Sequence, residues 1–87
     1  MKKGSASAQD YLELGQFYLL NQKYSEAIKQ FNLALKQKPD ANIYYHLGLA
    51  YEALNQIPQA KTMYCKALAL DPNHKDAQVH LERLNNK

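Results

Sequence analysis

Tyr11-Leu12-Glu13-Leu14-Gly15-Gln16-Phe17-Tyr18 returns 33 positions later as Tyr44-Tyr45-His46-Leu47-Gly48-Leu49-Ala50-Tyr51. A tyrosine, a Leu-Gly pair and a second tyrosine are common to both stretches. The register continues downstream: Ala27 meets Ala60, Phe31 meets Tyr64, Ala34 meets Ala67, Leu35 meets Leu68 and Pro39 meets Pro72. Small, aromatic and proline positions that recur together at one offset define an internal repeat. We read two copies, residues 8–40 and 41–74, followed by a capping helix over 75–87. Together they form a single domain, 9–87, behind a flexible leader, 1–8.

Each copy has helical periodicity. Tyr11, Leu14, Tyr18 and Leu19 recur at the three-and-four spacing of an amphipathic helix. Asn21-Gln22-Lys23 interrupts as a polar turn, and Ser25 is the expected N-cap of the next helix. Ala27, Ile28, Phe31, Ala34 and Leu35 form that helix's stripe. Pro39 ends it, because proline disfavours a helical residue before it. Asp40 is placed to cap the third helix. Pro58 falls at a tolerated first-turn position of the fourth, whose stripe is Ala60, Met63, Tyr64, Ala67 and Leu68. Asp71-Pro72-Asn73 closes it. From about His74 to Asn85, Ala77, Leu81 and Leu84 share one side. No strand pattern appears. The expected fold class is all-α, five helices in antiparallel hairpins. Gly15 and Gly48, with Ala27 and Ala60, are the small residues that let paired helices approach. A hairpin cannot bury its face alone, so neighbours stack and share a core.

Composition narrows the function. The 87 residues are 46% hydrophobic and 22% charged, with 11 basic and 8 acidic side chains and a net charge of +3. The two signs are interspersed, which describes a solvated surface rather than a polybasic arm. Lys29, Lys36, Lys38, Lys61 and Lys66 ride the second helices, and the aromatics between them belong to the core, so nucleic-acid or membrane association through that face is the least supported reading. One cysteine, Cys65, permits no internal disulfide, and a reducing, cytoplasmic setting is the expectation. No apolar run approaches the roughly 20 residues that span a bilayer, and the basic start lacks the apolar stretch of a signal peptide. The serines are Ser5, Ser7 and Ser25, two in the leader and one a cap. With no phosphate loop, no Cys–His–acid set and no carboxylate pair in a closed pocket, neither an enzyme nor a cofactor is expected.

The anchors Tyr11, Leu14-Gly15, Tyr18, Ala27, Phe31, Ala34, Pro39 and Tyr44, Leu47-Gly48, Tyr51, Ala60, Tyr64, Ala67, Pro72 resemble the tetratricopeptide repeat. The departures are a period of 33 where the family has 34, Gln22 and Asn55 at the family's turn glycine, and Glu82 where a third crossing glycine would stand. The resemblance implies an alpha-alpha superhelix whose first helices line a concave groove that takes an extended peptide or a helix. Carried over position by position, the partner-binding residues are Gln9, Leu12, Gln16, Leu19, Asn42, Tyr45, His46, Leu49, Glu52, Asp76, Val79, His80 and Arg83. A subset of the family clamps the carboxylate of chaperone tails with two Lys, two Asn and an Arg. Those positions here hold Leu12, Gln16, His46, Asp76 and His80, so that clamp is not expected. Leu12, Tyr45, Leu49 and Val79 make the groove apolar and aromatic at its centre, which suits an apolar segment or an amphipathic helix.

Six tyrosines, Tyr11, Tyr18, Tyr24, Tyr44, Tyr51 and Tyr64, stand where repeat packing wants them. Tyr45 does not, and it is the best candidate for a contact aromatic. His46 and His80 occupy equivalent places and are expected as neighbours. Asp76 or Glu52 could add a metal ligand, but the bland reading, exposed polar residues, is favoured. His74 is read as a loop residue. The leading function is therefore a non-catalytic module that binds a protein or peptide, with no small-molecule substrate. The alternative is a self-assembling scaffold, or part of a longer array, that associates through exposed helix ends.

Overall fold

The computed structural model describes residues 6–86. It contains α1 (Ala8–Leu20), α2 (Tyr24–Gln37), α3 (Ala41–Ala53), α4 (Ile57–Leu70) and α5 (Lys75–Asn85). No strand occurs among the described residues. The principal packed pairs are α1 with α2, α3 with α4, α2 with α3 and α4 with α5. Two antiparallel hairpins therefore stack through α2 and α3, and α5 covers α4. The shape is elongated, 50 × 27 × 16 Å.

The helix starts follow capping chemistry, with one exchange relative to the sequence reading. Asp40 caps α3 as expected, its Oδ1 accepting from Asn42 N at 2.7 Å and Ile43 N at 3.3 Å. Ser25 does not cap α2: that helix starts at Tyr24 with no side-chain cap. Ser7 is the capping serine, in a reciprocal box. Its Oγ accepts from Asp10 N at 3.1 Å and Asp10 Oδ2 accepts from Ser7 N at 3.0 Å, which satisfies two otherwise free N–H groups. Gln37 Nε2 also donates to the Ala6 carbonyl at 2.7 Å. Residues 6–8 therefore belong to the fold rather than to a leader, and residues 1–5 lie outside the described residues. Pro58 stands in the first turn of α4.

Both hairpin turns use left-handed residues that are not glycine, Gln22 at φ 63° and Asn55 at φ 62°. After α1, Gln22 N–H donates to Leu19 O at 3.0 Å and Lys23 N–H to Tyr18 O at 2.8 Å. After α3, Asn55 N–H donates to Glu52 O and Gln56 N–H to Tyr51 O, each at 2.9 Å. This is the Schellman pattern, and it fills the last carbonyls of each helix.

Leu12, Ala27, Phe31, Ala34, Ile43 and Leu47 form one buried cluster, and Ala60, Tyr64, Ala67, Ala77 and Leu84 form another. The close approach within each hairpin is glycine against an aromatic ring. A Cβ on Gly15 would land on the Phe31 ring, and one on Gly48 on the Tyr64 ring. Ala27 and Ala60 are buried as well. The stripe assigned to α1 needs correction: Leu14 is 40% exposed, whereas its equivalent Leu47 is 1% exposed. The reason is positional. α2 covers α3, and no described helix covers the same side of α1. Phe17 and Leu20 are exposed beside Leu14.

Candidate functional site

The first helix of each unit, α1, α3 and α5, sends side chains to a common meeting point whose centre is Tyr45. Its ring meets His46 and His80 edge-on, with centroids 5.2 and 5.6 Å away. The His74 ring lies tilted at 5.1 Å and that of Tyr64 at 6.0 Å. Perpendicular and tilted contacts of this kind are favourable between rings. The half-buried Tyr45 hydroxyl has its pKa raised by burial first, then by the charges of Asp76 and Glu52.

Donor identity sets the state of each imidazole. The Asn42 carbonyl can only accept, so His46 Nδ1, 2.8 Å away, carries the proton. His46 Nε2 then accepts from Gln16 Nε2 at 3.0 Å, which ties α3 to α1. The Ala77 N–H can only donate, so His74 Nδ1, at 3.1 Å, is bare and Nε2 points its proton at Asn42 Oδ1, 3.4 Å away. Arg83 can only donate, so His80 Nδ1, at 2.9 Å, is bare and Nε2 faces the Tyr45 hydroxyl at 3.5 Å. The pKa of His46 is lowered by burial first, and by His74, against the opposing Asn42 carbonyl and Asp40.

Glu52 anchors the other side. It accepts from the Tyr64 hydroxyl on Oε1 at 2.9 Å and pairs Oε2 with Arg83 at 2.8 Å. Burial raises its pKa, but the Tyr64 and Arg83 hydrogen bonds, the Arg83 charge and His80 outweigh that, and the net shift is downward. Burial and Glu52 push the Tyr64 phenol well up. No buried side-chain nitrogen or oxygen lacks a partner among the described residues.

Of the thirteen residues carried over as partner-binding, the structure gathers Gln16, Asn42, Tyr45, His46, Glu52, His80 and Arg83 into this network. Leu49 and Leu19 are half-buried against the second and first core clusters. Val79 is 53% exposed, and Asp76 lies in the first turn of α5. Leu12 departs from expectation: at 9% exposed it is a core residue rather than an open apolar centre. Gln9 is exposed and bonds to Glu13. With Leu12 it lines a separate recess of ≈ 220 Å³ beside Ala8, Lys38, Asp40 and Ile43. The sequence reading missed two members. Tyr64 replaces the phenylalanine of the first copy, and a hydroxyl at a core position signals a partner. His74 stands three residues before Ala77, at a helix start, where a cap acceptor belongs.

Cys65 is exposed and free, and no group of three His, Cys, Asp or Glu is set to hold a metal ion among the described residues. What the network offers is a wall of aromatic and imidazole rings edged by the Glu52–Arg83 pair.

Tandem antiparallel helix hairpins, glycine-against-aromatic crossings and a side-chain network across successive first helices define an all-α helical-repeat protein. The chain belongs to the tetratricopeptide repeat family, whose profiles match residues 41–74 and 15–55. It is similar to the tetratricopeptide repeat domain-containing protein PYG7, chloroplastic, of Arabidopsis thaliana, at 33% identity over 92% of this chain and 27% of that one. It is similar to the mitochondrial import receptor subunit TOM70 of Saccharomyces cerevisiae, at 35% identity over 69% and 10%. It also resembles the probable biofilm formation methyltransferase WspC of Pseudomonas putida, at 46% identity over 53% and 11%. The chain thus spans about a tenth to a quarter of the length of these relatives. Family members serve in general as non-catalytic protein-interaction modules, and no described helix is long and apolar enough to cross a membrane.

Proposed function

We propose that the α1/α3/α5 side is a docking groove and that the chain is a non-catalytic module holding an apolar segment or amphipathic helix of a partner protein there. The observation that carries the reading is Tyr45. Repeat packing does not require an aromatic at this position, yet its ring is half-buried among three histidines. Aromatic anchors of this kind dominate binding energy at interfaces. The import-receptor name of TOM70 supports protein binding as the role. The methyltransferase name of WspC does not bring chemistry to this chain, because the match covers 46 residues, 11% of that protein. A reducing, cytoplasmic setting belongs to the same proposal and rests on the single free thiol.

The test is a pull-down from cell lysate with wild-type bait beside Tyr45→Ala/Leu49→Ala bait, with helicity checked by circular dichroism. A protein retained by the wild type alone supports the groove. Equal retention by both baits removes it.

A second reading has its own observation. Leu14, Phe17 and Leu20 are exposed on one helix, and the equivalents of the first two, Leu47 and Ala50, are buried. This favours association of α1 with another helical unit, such as a second copy. A mass by light scattering that stays monomeric from micromolar to millimolar concentration dismisses self-association.

A further inference from the structure

The side-chain caps of α1 and α3 are oxygens, from Ser7 and Asp40, whereas that of α5 is an imidazole nitrogen, from His74. We propose that His74 is an acid-labile N-cap and that its protonation loosens α5, the helix that carries His80 and Arg83 against Tyr45 and Glu52.

The argument is one of hydrogen-bond inventory. His74 Nδ1 accepts the Ala77 N–H at 3.1 Å. An imidazolium has two N–H groups and no lone pair, so it accepts nothing. Protonation therefore removes the cap and leaves N–H facing N–H. It also places a positive charge at a helix N-terminus, the end that the helix dipole already makes positive. A serine or asparagine cap has no such response near neutral pH.

The surrounding charges do not replace the lost acceptor. Asp71 lies in the preceding loop, its carbonyl accepting from His74 N–H at 3.0 Å, and Lys75 and Asp76 stand in the first turn of α5. From α3, His46 and the Tyr45 ring face it, with the uncharged Asn42 amide at 3.4 Å and Asp40 at the start of the helix. From α4, the Tyr64 hydroxyl donates to Glu52. None of these groups is an oxygen held at the Ala77 N–H. His80, on the same helix, does not replace the cap either: its bare Nδ1 accepts from Arg83 and lies 3.5 Å from Glu52 Oε1. α5 buries Ala77 and Leu84 and packs Leu81 against the second core cluster, all C-terminal to the capped first turn.

This inference concerns the chain alone and does not depend on the proposed groove. The test is amide hydrogen exchange by NMR on the whole chain at pH 7.5 and pH 5.0, corrected for intrinsic exchange. Protection of Ala77, Gln78 and Val79 is compared with that of α2 amides around Phe31. Loss of a cap corresponds to about a fivefold change in opening. The expected result is a relative loss of about fivefold in α5 at pH 5.0 in the wild type and no loss in His74→Asn, whose amide oxygen caps at both pH values. Parallel protection in α5 and α2 at both pH values overturns the proposal, as does an undiminished loss in His74→Asn. If that variant does not fold, ring ¹⁵N shifts of the wild type decide: a bare Nδ1 on His74 at pH 7.5 supports the cap, and a protonated one overturns it.

Discussion

The Tyr64 hydroxyl donates to Glu52 Oε1 at 2.9 Å, and the other Glu52 oxygen lies 2.8 Å from Arg83. One carboxylate on α3 thus completes the core of its own hairpin and holds the helix that follows it. Replacing Glu52 by Ala strands a buried hydroxyl and unties Arg83. A buried group left without its partner costs about 1–3 kcal/mol, so Glu52→Ala is expected to lose that much in urea unfolding followed by circular dichroism. Tyr64→Phe removes donor and demand together and installs the ring that the first copy already carries at Phe31. Its expected cost is within about 1 kcal/mol.

Gly48 faces the Tyr64 ring where a Cβ has no room. Alanine gains up to about 1 kcal/mol in helix propensity over glycine, but overpacking a filled core costs about 1–3 kcal/mol. Gly48→Ala, and likewise Gly15→Ala against Phe31, is expected to destabilise by about 1–2 kcal/mol net, read from the urea midpoint at constant slope.

Gln22 and Asn55 both hold left-handed backbone. For a residue with a Cβ this costs about 1–2 kcal/mol, and asparagine tolerates it best. Gln22→Gly is therefore expected to raise the melting temperature, and Asn55→Gly to raise it less. A fall with Gln22→Gly would contradict the strain assigned to that turn.

Stability is expected to decline on acidification in two separate ranges. His46 titrates below its ordinary value of 6.5 in the fold. The unfolded chain thus binds more protons below that value, and the contribution of His46, complete above pH 6.5, is lost as pH falls toward its folded value. Glu52 is depressed below 4.5. Its contribution is complete above pH 4.5 and is lost as pH falls through its folded value. Urea unfolding at pH 7.5, 5.5 and 3.5 resolves the two steps. His46→Gln is expected to shrink the upper one and leave the lower one intact.

The repeat made most of the fold legible. Leu14-Gly15 against Leu47-Gly48, and the alanines and prolines in register, located the hairpins, because each such position is constrained by close packing or by a helix end. The losses have local causes. Ser25 and Ser7 are equally good caps by residue type, and only the true start of α2 at Tyr24 separates them. Leu14 repeats Leu47 in sequence, but burial depends on what lies outside a helix: the Leu47 side of α3 is covered by α2, and no described helix covers the Leu14 side of α1. Leu12 fell on the groove side by position, yet it packs among Phe31 and Ile43. At the site, His46 and His80 were placed by equivalence. His74 and Tyr64 were not, because a cap and a hydroxyl–carboxylate bond join residues whose meeting depends on how α5 settles against α3.

The central claim is that the α1/α3/α5 side takes an apolar or amphipathic helical segment. The most direct measurement is amide chemical-shift mapping of ¹⁵N-labelled chain with a helical peptide selected against it from a displayed library. The expected shifts concentrate at Tyr45, His46, Leu49, Val79 and His80 and vanish in Tyr45→Ala/Leu49→Ala. Shifts confined to the lysine-bearing outer sides of α2 and α4, or to Leu14 and Phe17 of α1, would contradict it.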